Sequence, residues 1–138
     1  MEKEHSAGAI VFRIEGGRRV YLLLHYDAGH WDFIKGKKGS GESDMQTILR
    51  EAKEESGLAD LEFREGFKEM IHYSYPRERE SIPKEVVFFL AETKSRDVML
   101  SHEHQGSEWL GYEKARERLT FDNAKKILDK ANEFLVDE

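Results

Sequence analysis

Glu51, Glu54 and Glu55 stand three and four positions apart in REAKEES. At that spacing carboxylates converge on one face of a helix. Like charges so placed repel by roughly a few tenths of a kcal/mol per pair, which calls for a compensating charge. A hard divalent cation, Mg²⁺ or Mn²⁺, prefers carboxylate oxygen and answers that need. A solvated acidic face is the alternative, since glutamate is a good helix former. The loop before the helix, GKKGSGE, carries Gly36, Gly39 and Gly41, whose missing side chains leave backbone open to a ligand. Lys35, Lys37 and Lys38 sit among these glycines, and lysine is a mobile point charge suited to phosphate. An acidic helix beside a basic glycine loop is chemistry for a metal ion and a phosphate held together.

The helix that must present the carboxylates reads from Ser43 to Ser56. At about 100° per residue Met45, Ile48, Leu49 and Ala52 form an apolar stripe expected to pack on a sheet. Ser43 suits the start of this helix and Gly57 its C-terminal cap. Strands are expected at Ser6 to Ile14, Arg19 to Tyr26, Trp31 to Ile34, Glu85 to Glu92 and Ser107 to Leu110. The first two read as a hairpin turning at Gly16 and Gly17. Leu61 to Tyr75 reads as one bent strand or two, followed by a polar loop from Pro76 to Pro83. Thr93 to Ser101 reads as a turn plus a strand end, and His102 to Gly106 as a loop. A short helix from Tyr112 to Leu119 precedes a terminal one from Phe121 to Leu135. The terminal helix carries Ala124, Ile127, Leu128, Ala131 and Leu135 on one face. Strands before, between and after helices predict an α/β fold with a mixed sheet covered on both sides, in one domain over 1–138.

Gly36, Glu42, Arg50, Glu51, Ala52, Glu54, Glu55, Gly57 and Leu58 occupy the fixed positions of the Nudix hydrolase signature. Beyond it, SHEHQGSEWLG and KEVVFFLAE resemble the asymmetrical diadenosine tetraphosphate (Ap4A) hydrolases of that superfamily. The resemblance implies a Nudix α/β/α sandwich and Mg²⁺-dependent hydrolysis of a nucleoside polyphosphate, with Mn²⁺ as a possible substitute. It implies that Glu51, Glu54, Glu55 and Glu103 hold metal, joined by a backbone carbonyl at Lys35 or Gly36. Glu54 or Glu103 is the expected general base, and Arg50 is expected to pair with Glu42 or Glu51 and orient it.

Lys35, Lys37 and Lys84 are expected to offset phosphate charge. Phe88 stands where that branch carries tyrosine, and can stack on a base or fill the core. Phe121 and Tyr75 are further candidates for the nucleotide, as is Tyr73. His30 is a candidate phosphate contact, and His104 stands open between a phosphate contact and packing. Ile34 replaces the proline usual before Lys-Gly in that branch, which removes no functional group.

The net charge of −6 argues against an extended nucleic-acid surface. No apolar run is long enough to span a bilayer, and the opening MEKEH does not read as a leader. Cysteine is absent, which excludes disulfides and is compatible with a cytoplasmic location. The expected reaction is Ap4A plus water to ATP plus AMP, by a monomer or dimer. The alternatives are another Nudix pyrophosphatase, acting on an RNA 5′ end, an NTP or a diphosphoinositol polyphosphate, and a catalytically silent nucleotide-binding module.

Overall fold

The computed structural model describes residues 3–137; Met1, Glu2 and Glu138 of the predicted domain lie outside them. Its centre is β1 (Glu4–Glu15), in which alternate residues face opposite layers. Along Glu4 to Phe12 this strand runs parallel to β7 (Glu80–Glu92). Its other edge is shared by two antiparallel partners. β2 (Arg18–Tyr26) takes the C-terminal half, and β4 (Ile34–Lys37) takes Ser6 to Ala9. β3 (Trp31–Asp32) and β8 (His104–Leu110) pair with β2, while β5 (Glu62–Phe63) and β6 (Glu69–Arg77) pair with β7. The result is a mixed sheet of eight strands among the described residues.

Each face buries its own cluster. Ala7, Ala9 and Val11 join Leu22, Leu24 and Val87 under α1 (Asp44–Ser56). Ile10 and Phe12 join Tyr21, Leu23 and Leu90 on the opposite face. That face is covered by α2 (Tyr112–Arg118) and α3 (Asp122–Val136). All five predicted α3 positions, Ala124, Ile127, Leu128, Ala131 and Leu135, are buried there. The α/β/α layering expected from the sequence is the observed one.

Five local readings need correction. Leu49 does not pack on the sheet; it is 46% exposed, and the buried face of α1 is Thr47, Ile48, Ala52, Glu55 and Ser56. The helix is rotated because it seats Glu55, and not Leu49 beside Ile48 and Ala52, against the sheet. Ile48→Ala is therefore expected to cost about 2–5 kcal/mol, and Leu49→Ala less than about 1 kcal/mol, in denaturant unfolding.

Pro76 to Pro83 is a strand pair turning at Glu78 and Arg79, not a loop; Glu78 adopts φ 57°. Its prolines are tolerated because the β1 register begins at Lys84, leaving a two-stranded ribbon with open outer edges. His104 starts β8, so the preceding loop is shorter than expected, and no strand follows Glu92 until β8. Trp31 to Ile34 divides at Phe33 into β3 and β4.

Candidate active site

The glycine loop and α1 are locked together by Arg50. Ser43 and Gln46 first fix the helix start as a reciprocal cap, and Gly57 ends it at φ 76°. The Arg50 guanidinium then donates to Glu42 through Nε at 2.8 Å and Nη2 at 3.0 Å. It also reaches Glu51 at 2.8 Å, Glu54 at 3.3 Å and the Lys37 carbonyl at 3.1 Å. Glu42 accepts further bonds from the Gly39 N–H (2.7 Å) and the Thr47 hydroxyl (3.0 Å). Arg50, then the Gly39 N–H and the Thr47 hydroxyl, hold its carboxyl down at about 2. One planar cation thereby sets the position of Glu51 relative to the loop.

Glu51 and Glu55 meet at the buried end of this arrangement. Glu55 is only 5% exposed. It is hydrogen-bonded to Glu51 and accepts from the Lys35 backbone N–H. Its Oε1 lies 3.1 Å from the Tyr26 hydroxyl. Burial first, then the neighbouring Glu51, push its carboxyl up to about 9. Without a metal Glu55 thus keeps a proton, because burial and the adjacent Glu51 disfavour its charge. Hard oxygens around one removable proton fit a divalent cation. Gly36 packs so closely on Glu51 that a Cβ there would run into the carboxylate.

The other expected ligands lie further out. Glu54 has a side chain 58% exposed. Glu103 is exposed on a loop whose carbonyl accepts from the Asp27 N–H at 3.0 Å. Among the described residues no three His, Asp or Glu side chains form a ready-made metal set. The Glu51–Glu55 pair is the nucleus of the candidate site.

A cavity of about 430 Å³ opens beside it, lined by Lys35, Lys84, Tyr73, Tyr75, His30 and Phe121, with Asp32 and Phe88 deeper. Lys35 joins the two halves: its backbone N–H serves Glu55, and its ammonium lies 3.0 Å from Asp32 in the cavity. Burial works to lower the Lys35 pKa, but Asp32 and Tyr73 together outweigh it and the net shift is upward. Lys84 is shifted downward, by burial and then by the positive charge of Lys35. Its ammonium lies 6.0 Å from the Tyr73 ring centre and 5.9 Å from that of Tyr75. Phe121, 48% exposed at the start of α3, stands 5.4 Å from the His30 ring. His30 stacks on Tyr26 at 4.8 Å, and Tyr26 reaches Glu55, so cavity and carboxylates share a wall.

Three expectations change here. Phe88 is 1% exposed with its ring edge against Phe33, so it floors the cavity and offers no free face for stacking. Lys37 lies outside the cavity, 67% exposed and 3.0 Å from Glu4. The His104 side chain is fully buried and cannot meet a phosphate; its Nε2 lies 3.8 Å from Glu55. Burial shifts His104 downward, toward the neutral ring. Asp32 and Tyr26 were missed by sequence reasoning. The available signal for Asp32 was a lone carboxylate beside a core phenylalanine in a strand, a placement that needs a buried partner.

The NUDIX domain family model matches residues 3–130. The chain belongs to the Nudix family. A bis(5′-nucleosyl)-tetraphosphatase (asymmetrical) from Sus scrofa is 37% identical over 142 residues, covering 94% of each chain. One from Caenorhabditis elegans is 33% identical, covering 95% of this chain and 96% of the relative. A solved C. elegans Ap4A hydrolase binary complex superposes with a TM-score of 0.88 at 31% identity, covering 98% and 99% of the two chains. This Nudix chain is a hydrolase of the pyrophosphatase type acting on nucleotides. No helix among its described residues is long and apolar enough to cross a membrane.

Proposed function

We propose that this Nudix hydrolase splits dinucleoside polyphosphates asymmetrically, Ap4A plus water giving ATP plus AMP, with Mg²⁺ as cofactor. The observation that carries the reading is Lys35, which touches the carboxylate pair with its backbone and the aromatic cavity with its side chain. A nucleoside in the cavity would therefore run its phosphates directly toward Glu51 and Glu55. The likeness to the tetraphosphatases along the whole chain supports the same substrate class.

The geometry supports the following roles. Tyr75 and Phe121 flank the base, an arrangement in which each ring offers stacking area. Lys35 and Lys84 would set positive charge along the phosphates, with Lys84 offsetting the charge that develops as a P–O–P bridge breaks. Glu51 and Glu55 would hold Mg²⁺ with Glu54 and Glu103 completing the ligands from the solvent side. When bound, Mg²⁺ offsets phosphate charge and lowers the pKa of the attacking water. Arg50 keeps Glu51 in place without touching substrate, a supporting contact of the kind worth about 10–100-fold in such sites. Glu54 or Glu103, both exposed to solvent, takes the water's proton. Hydrolysis places the hydroxyl on one phosphorus and a proton on the departing bridge oxygen.

The test is a substrate panel with Mg²⁺, resolved by product. ATP plus AMP from Ap4A, in the highest kcat/KM of the panel, is the expected result. Two ADP from Ap4A, or faster turnover of 5′-triphosphorylated RNA, would overturn the assignment.

A further inference from the structure

His104 is a histidine that the proposed chemistry does not use, yet it is buried against its centre. Its side chain is fully out of solvent, and its Nε2 has no hydrogen-bond partner in the structure. A buried donor left unmade costs about 1–3 kcal/mol, so a position like this needs an explanation. The other ring nitrogen is engaged. Nδ1 lies 2.9 Å from the Ser101 hydroxyl oxygen, which in turn accepts from the Glu103 backbone N–H. With that N–H on its oxygen, the Ser101 hydroxyl is free to give its proton to Nδ1. The ring's own proton then sits on Nε2.

That N–H faces Glu55, whose Oε1 is 3.8 Å away. Tyr26 closes the space between them on the side, its ring edge-on to the imidazole at 4.5 Å. Nor does Tyr26 serve Glu55 fully. Its single hydroxyl proton is claimed by the Phe33 carbonyl at 2.7 Å, leaving Glu55 the longer contact of 3.1 Å.

We propose that His104 is a positioning residue for the metal site: its Nε2–H is the donor held in reserve for the Glu55 carboxylate, with Ser101 fixing the tautomer. The proposal rests on Glu55 being a ligand. It ties the Glu103 loop to the α1 carboxylates through one imidazole.

Two variants separate the ring's two ends. His104→Gln keeps an N–H near the Nε2 position, whereas His104→Asn keeps a polar group near Nδ1 and none near Glu55. Mn²⁺ affinity of the substrate-free protein is measured by titration calorimetry, alongside the metal-free thermal midpoint. His104→Asn should weaken Mn²⁺ binding about 10–100-fold, as loss of a ligand's hydrogen-bond partner does. His104→Gln should restore most of it. A structural role alone predicts equal loss of midpoint in both variants with metal affinity unchanged, and that result would overturn the proposal. Wild-type affinity in His104→Asn, with loss in Glu55→Gln, would sink the His104 role and spare the site. No Mn²⁺ binding by the wild type would remove both.

Discussion

Glu55→Gln will lower Mg²⁺-dependent turnover by ~10³-fold or more, the scale of losing several kcal/mol of charge stabilisation. It will leave the metal-free protein folded and, at alkaline pH, more stable than the wild type. The two effects have one cause. Glutamine is an isostere of the protonated carboxyl that Glu55 presents when no metal is bound, so the contacts with Glu51, Tyr26 and the Lys35 N–H lose little. It lacks the negative charge that a cation needs.

The sign of the pH dependence follows from linkage. The carboxyl titrates near 4.5 when ordinary and near 9 when folded, because burial and then Glu51 disfavour its charge. Between those values the native state holds a proton that the unfolded chain has released, so stability falls as pH rises through that window. The thermal midpoint of the metal-free wild type should therefore decline from pH 5 to pH 9 more steeply than that of Glu55→Gln. Mg²⁺ should raise the wild-type midpoint at pH 8, and raise the variant's far less. Equal slopes in the two proteins would show that Glu55 holds no proton in the folded, metal-free protein.

The layers of this fold were legible because their signals are strong. The continuous apolar runs of β1 and β2 mark buried strands, and the 3.6-residue repeat of α3 assigns its buried face. The Glu-Glu spacing likewise located the carboxylates on one helix. What sequence could not supply was the third dimension of the site. Leu49 fits an apolar stripe, yet the sheet takes Glu55 in its place, and hydrophobicity cannot forecast that a carboxyl will be the buried residue. Tyr26 and Asp32 precede the signature and are not among its fixed positions. They reach it because β2 and β3 pair side by side, with β4 beside them on β1. Lys35 and Lys37 stand two apart in β4 and so share a face of the strand. Yet Lys35 reaches Asp32 and is mostly covered while Lys37 reaches Glu4 and stays exposed, a difference that alternation does not forecast.

Gly36→Ala carries the second large effect, and it isolates placement from charge. Gly36 lies in β4 opposite Ala7, in a backbone conformation that alanine can also adopt, since its φ is not among the positive ones. The added methyl would first meet the Glu51 side chain from Cγ outward, which is flexible enough to swing away. The unfolding free energy should thus move by less than about 1 kcal/mol. The functional consequence is larger because Glu51 cannot swing without leaving both Glu55 and its 2.8 Å bond to Arg50. Displacing a reacting constellation by about 1 Å is worth ~10²-fold in rate. Gly36→Ala should accordingly lose activity on that scale with Mn²⁺ affinity weakened in parallel, while every carboxylate is still present. Reverting the crowding from the other side gives the control. Glu51→Asp in the Gly36→Ala background shortens the obstructing side chain, so it should add far less damage there than it does alone. Additive losses would mean that residue 36 acts on something other than Glu51.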